Sequence, residues 1–226
     1  MSRRAVAMLL ALALALALSP AQGRQVVALV DDAAGRSESL SAERLHRLLL
    51  SDIEPGDHVH LLLGTAAWGE APASLVTLVS FRAHPRPAIR NAQLLAAAEA
   101  LGDWRQSEAS HTAPEQPGSL APLLVRSLRE HVTTAEPLRL ILAGRLTVAP
   151  PPDGATLRAA LPSTSTVTLV DLTPRADEAG PEEPDGEAEG STDSGGGDDE
   201  QRRSTFAEWR TALAAAGARW QPAPWE

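Results

Sequence analysis

The chain alternates between two kinds of segment, and that alternation restricts its fold more than any other feature. Five short runs have the length and aliphatic content of strands: residues 25–30, 58–63, 74–81, 138–143 and 166–172. Helical spacing fills the intervals. Ala42, Leu45, Leu48 and Leu49 repeat on one face after Ser41, a residue suited to capping, and Pro55-Gly56 stops the pattern. Leu94, Leu95, Ala98 and Leu101 mark a second helix, followed by a polar loop over 106–117. Ser119 opens a third with Leu123, Leu124 and Leu128, and residues 153–161 form a fourth that ends at Pro162. Thr205 and Glu208 have the spacing of a capping box for a last helix carrying Phe206, Trp209 and Leu213, which Gly217 ends. Arg219-Trp-Gln221 adds a short edge strand.

Residues 25–30 read Gln-Val-Val-Ala-Leu-Val, without a polar alternation, and end in Asp31-Asp32. A strand of that kind is buried on both faces, as in a parallel sheet. The Trp68–Pro72 stretch suits a hairpin between the second and third strands. The order therefore predicts an α/β protein, a three-layer sandwich with a mostly parallel central sheet. No internal repeat is visible, and residues 22–226 read as one domain.

Composition removes several chemistries. The 226 residues include no Cys, and all 20 basic residues are Arg. Disulfides, thiolate metal sites, a Cys nucleophile, a phosphate-loop lysine and a Schiff-base lysine are excluded. With 43% apolar residues the chain has enough material for a core. The net charge of -9 is concentrated: residues 177–200 hold eleven acids and no Arg. That stretch, rich in Gly, Pro and Ser, reads as a disordered surface insert at 176–203 within the domain. Without it and without Arg3 and Arg4, 18 Arg face 18 acids. No basic stripe remains to neutralise phosphates, so nucleic acid is not an expected partner.

The N-terminus reads as an export signal. Ser2-Arg3-Arg4 is a positive region, residues 5–18 are an unbroken apolar run, and small residues precede a cut after Ala21 or Gly23. Residues 1–21 are therefore assigned to a signal peptide, and the rest to the periplasm or the exterior. A membrane span needs about twenty residues. An uncleaved N-terminal segment would be the protein's sole membrane attachment.

Ligands of open α/β sheets bind at the carboxyl ends of the strands. The residues to weigh there are Asp31, Asp32, Ser37 and Ser39 after the first strand, the 65–69 loop, Gly144-Arg145 and Asp171. Asp31 and Asp32 suit the end of a strand and the start of a helix. A phosphoacceptor aspartate would want a lysine, and there is none. Gly35-Arg-Ser37-Glu-Ser39 lacks the last glycine of a nucleophile elbow. A hydrolase on this scaffold would use Asp31 or Ser37 with one of His84, His111 or His131, and it is the alternative to a binding role. His58 and His60 share a strand face at a spacing that can hold a metal, but spacing suggests no third ligand. They read as satisfied histidines. Of five scattered Trp, Trp209 belongs to the core and Trp225 to an exposed terminus. No catalytic residue, metal or cofactor is expected.

The series of elements resembles a von Willebrand factor type A (VWA) domain over about residues 25–220. Val26-Val-Ala-Leu-Val-Asp31 with Leu40-Ser-Ala-Glu-Arg-Leu45 resembles its first strand and helix. Pro55-Gly-Asp-His-Val-His-Leu-Leu-Leu63 is similar to its second strand, Gly118-Ser-Leu-Ala-Pro-Leu-Leu124 to the opening of its third helix, and residues 138–143 to the strand before its final acidic ligand. The closing helix, 205–219, is similar to that of uncharacterised bacterial VWA-like proteins. The resemblance implies a protein partner bound by the loops at 31–39, 65–69 and 118–119, with Asp31, Asp32, Ser37, Ser39 and Ser119 as the binding residues. It also implies a metal-ion-dependent adhesion site with an Asp-x-Ser-x-Ser run, a Thr and a later Asp. Here Asp31 alone matches that run: Ala33 and Gly35 replace the serines, Ser119 takes the place of the Thr, and Gly144-Arg145 follows the fourth strand without an Asp. Arg145 would repel a divalent ion that wants about six oxygens. The resemblance thus implies an interaction module whose metal site is degenerate.

Overall fold

A computed structural model describes residues 23–31, 41–65, 74–108, 120–133, 135–146, 150–172 and 195–222. Strand β1 is Gln25–Asp31, and all seven of its residues are buried. It is central because it has no polar face to offer water. β2 (His58–Thr65) pairs parallel with it on one side and β4 (Leu138–Gly144) on the other. β5 (Ser165–Asp171) continues in parallel from β4, and the two-residue β6 (Arg219–Trp220) ends that side. β3 (Ser74–Arg82) closes the other side as the antiparallel member of the β2–β3 hairpin. The sheet order is β3-β2-β1-β4-β5-β6. Winding reverses between β1 and β4, as in doubly wound folds. The α/β sandwich and the mostly parallel sheet are as the sequence predicts.

Because strand side chains alternate, the two faces of the sheet carry different cores. Val26, Ala28 and Val30 face one way with Val59, Leu61, Leu63, Ile141 and Ala143. Helices α1 (Ala42–Asp52) and α2 (Pro87–Glu108) cover them with Leu45, Leu48, Leu49, Leu94, Ala98 and Leu101. Val27 and Leu29 face the other way with Leu62, Leu140, Leu142 and Leu169. There α3 (Leu120–His131), α4 (Gly154–Ala160) and α5 (Gly195–Ala215) contribute Leu123, Leu124, Leu128, Leu157, Trp209 and Leu213. Each fully buried aliphatic side chain of this kind is worth about 1.5–3 kcal/mol.

Ends of elements follow local chemistry. Ser41 Oγ accepts the Arg44 N–H at 3.1 Å and caps α1, as its position in the sequence suggests. Asp153 caps α4 in the same way through Thr156. Gly56, at φ 91°, makes the turn into β2, and Gly217, at φ 93°, ends α5. On β3 the register jumps from Leu61↔Val79 to Leu62↔Thr77, which leaves Leu78 as an extra residue. This bulge turns both Leu78 and Val79 toward the α1–α2 core, and it disrupts the open edge of the sheet.

Two boundaries differ from expectation. α2 starts at Pro87, a residue suited to a first helical turn, and runs to Glu108, past the expected start of a loop at Gln106. α5 starts at Gly195, so Thr205 is not a cap and residues 195–203 are helix instead of insert. Thr205 Oγ instead donates to the Gln201 carbonyl at 3.0 Å, the back-bond that lets a Thr sit inside a helix. The rest of the acidic stretch, 176–194, lies outside the described residues, as does the segment 1–21 expected to be a signal peptide. Among the described residues no helix is long and apolar enough to cross a membrane.

Candidate functional site

The parallel strands deliver Asp31, Gly64, Gly144 and Asp171 to one edge, at the carboxyl ends of β1, β2, β4 and β5. The reversal of winding opens this edge between β1 and β4. Just past β4, the Gly144 carbonyl accepts the N–H of Leu146 at 3.0 Å and of Leu172 at 2.9 Å. The chain therefore turns tightly at Arg145. Its Nε stands 4.0 Å from Oδ2 of Asp31, with side chains 20% and 8% exposed. Arg145 Nε is buried and has no hydrogen-bond partner among the described residues, so its contact with Asp31 is one of charge.

Close backbone approach shapes this edge. A Cβ on Gly144 would lie 2.9 Å from Cβ of Asp31 and 3.3 Å from Cδ2 of Leu120. A Cβ on Gly64 would lie 2.9 Å from Cδ1 of Leu123. The two glycines flank β1 and let α3 settle on the sheet end while Asp31 passes beside β4. Asp171 is exposed at the tip of β5.

The metal site that the family resemblance implies does not fit these residues. The position facing Asp31 belongs to a guanidinium, and a cation there would meet Arg145 within ion-pair distance. Among the described residues no group of three or more His, Asp or Glu is arranged to hold a metal ion. Of the expected binding residues, Asp31 lies at this edge. Asp32, Ser37, Ser39 and Ser119 lie outside the described residues, as do His111, Trp68 and Trp225.

The histidines gather at the opposite end. His60 is buried, donates to or accepts from Ser80 Oγ through Nδ1 at 3.1 Å, and lies 4.4 Å from the His58 ring. The third ring that spacing did not suggest is His131, at the end of α3, 5.2 Å from His60. Burial, and then the neighbouring charges of His58 and His131, hold His60 down to about 4, so it is neutral at pH 7. His84 also lies near this end, two residues past β3, with its N–H on Gln93 Oε1. His46 contacts Asn91 Oδ1 on α2.

Two buried ionic groups escaped sequence reasoning. Arg139, the second residue of β4, is fully buried and pairs with Asp52 at 2.8 Å. Its Nη2 also donates to Thr168 Oγ, and Gln221 Nε2 donates to the other Asp52 oxygen at 3.0 Å. Asp57 is buried, and its carboxylate accepts the N–H groups of Arg24 and Glu54 and the Nε of Arg24. A charged residue inside an otherwise apolar run, Leu138-Arg-Leu-Ile-Leu, was the available clue to the first. Both groups tie the start of the sheet together. Trp209 is core, as expected, and Trp220 packs edge-on to Phe206 beneath the Arg210 guanidinium.

Comparison with known proteins finds no family model that matches the chain and no curated protein that matches its sequence.

Proposed function

We propose that this chain is an exported, non-catalytic VWA-like module that binds a protein partner through the carboxyl edge of its sheet, without a metal ion. The Asp31–Arg145 pair carries this reading: an arginine stands where a cation-dependent site would need empty space and oxygens. The resemblance of the elements to a VWA domain supplies the scaffold, and the N-terminal segment supplies the periplasmic or secreted location. A degenerate metal site leaves shape, loop chemistry and the charges of Asp31, Arg145 and Asp171 as the means of recognition. Fold alone does not fix a function. Among the described residues, His84 and His131 lie at the other end, away from Asp31, which counts against either as the base of a hydrolase there, since a hydrolase needs its base beside the nucleophile.

A photo-crosslinking residue at Asp171, on the full chain expressed in its own cells, tests the reading. It should capture a discrete protein in the cell envelope that a crosslinker at Leu95 on α2 does not. Capture should survive EDTA and be lost in Arg145→Glu. No edge-specific product, or a product abolished by EDTA, would overturn the proposal.

A further inference from the structure

The three imidazoles at the amino end of β2 have a task that the carboxyl edge does not explain. His58 and His60 project from β2 onto the face that α3 covers, and His131 closes over them from the last turn of that helix. The rings form a row, with centroids 4.4 Å and 5.2 Å apart. Neutral imidazoles pack at such distances. Imidazolium rings so close repel one another, and the buried His60 would also lose hydration.

The surroundings leave few charges to compensate. From β1, the neighbours in register are the uncharged Gln25 and Val27, and Gln25 Nε2 holds the nearby acid, Glu136 of the loop after α3, at 2.8 Å. From β3, Ser80 holds Nδ1 of His60, while Arg82 lies across from His58 and turns its Nε to the Gly56 carbonyl. On α3, Arg129 shares the last turn with His131, and Glu130 is engaged by Arg126 at 2.7 Å. The charges that act on His60 are therefore those of the other two histidines, both unfavourable to its protonation.

We propose that His58, His60 and His131 form a proton-operated clasp, which seats the last turn of α3 on the sheet at neutral pH and releases it in acid. A chain outside the cytoplasm meets external acidity, so such a device would have something to sense. The same helix reaches the carboxyl edge through Leu120 and Leu123, about 12–17 Å away along its axis, so release would also loosen the packing behind Asp31 and Arg145. The clasp itself stands whether or not that edge binds a partner.

Linkage sets the direction. The seated state keeps His60 neutral down to about 4, while a released His60 returns toward 6.5. Seating is thus undisturbed above 6.5 and weakens as pH falls, by up to about tenfold per pH unit, until the seated His60 also takes a proton. Hydrogen exchange on the full mature chain, corrected for intrinsic rates, tests this between pH 6.5 and 4.5. Amides 128–132 should be less protected than amides 94–98 of α2, which open with the whole domain, and should lose protection by roughly that factor, a loss that His60→Phe should remove. Should that variant fail to fold, His131→Gln must shrink the loss, because one repelling charge is gone. The proposal fails if the wild type keeps its protection, if amides 128–132 are as well protected as those of α2 and so open only with the whole domain, or if the histidine variants behave as the wild type does.

Discussion

Arg139 and Asp52 lie 87 residues apart in the chain, yet their side chains meet at 2.8 Å inside the protein, both almost wholly removed from water. The contact joins the second residue of β4 to the last residue of α1, and Gln221 brings the end of β6 to the same carboxylate. Taking two charges out of water costs several kcal/mol per ion, which their attraction only partly returns. What the pair does most clearly is punish the loss of either member.

Asp52→Ala should therefore lower the unfolding free energy by about 3–5 kcal/mol, because it strands the Arg139 charge in the core. The double variant Asp52→Leu/Arg139→Met should be far less damaged. Urea unfolding of the three proteins measures this. A single variant within about 1 kcal/mol of wild type would show that the charge is not buried as described.

Three glycines separate steric need from helix propensity. Gly144→Ala should cost about 1–3 kcal/mol, since its new methyl meets Cβ of Asp31, an atom fixed to the backbone. Gly64→Ala should cost less, because it meets the far end of Leu123. Gly102, inside α2, has no heavy atom within 4 Å of a built Cβ, so Gly102→Ala should gain about 0.5–1 kcal/mol. Thermal or denaturant unfolding ranks the three, and a different order would count against the packing of the carboxyl edge.

Global stability should fall in mild acid. His60 is held down to about 4 against an ordinary 6.5, so between those values the unfolded chain binds a proton that the folded one does not. Stability contributed by neutral His60 is complete above 6.5 and is lost as pH drops toward about 4, by about 1–2 kcal/mol once partial solvent contact is allowed for. Denaturant midpoints at pH 7 and 5 measure the loss, and His60→Phe should flatten it. The Asp153 carboxyl, lowered by its bonds to Thr156, acts the same way at lower pH: its capping is present above the ordinary Asp value and fades as pH falls through the lowered one.

The layers were legible because burial on two faces leaves a plain mark. Val26 to Val30 has no polar alternation, and the Leu45, Leu48, Leu49 spacing admits one reading. Asp31 at a carboxyl strand end was legible for the same reason, since the topology follows from the order of elements. Partners brought together by folding were not. Nothing near His60 in the sequence points to His131, and an Arg in a strand does not say whether an Asp waits for it. Helix starts were the weakest local reading: Thr205 fits a cap and also fits a helix interior, and the chain chose the second.

Calorimetric titration of the full chain with Mn²⁺, paired with melting curves in Mg²⁺ and in EDTA, tests the central claim most directly. With Arg145 beside Asp31, no saturable heat and no change in melting temperature are expected. A one-to-one binding isotherm that Asp31→Asn abolishes would contradict it.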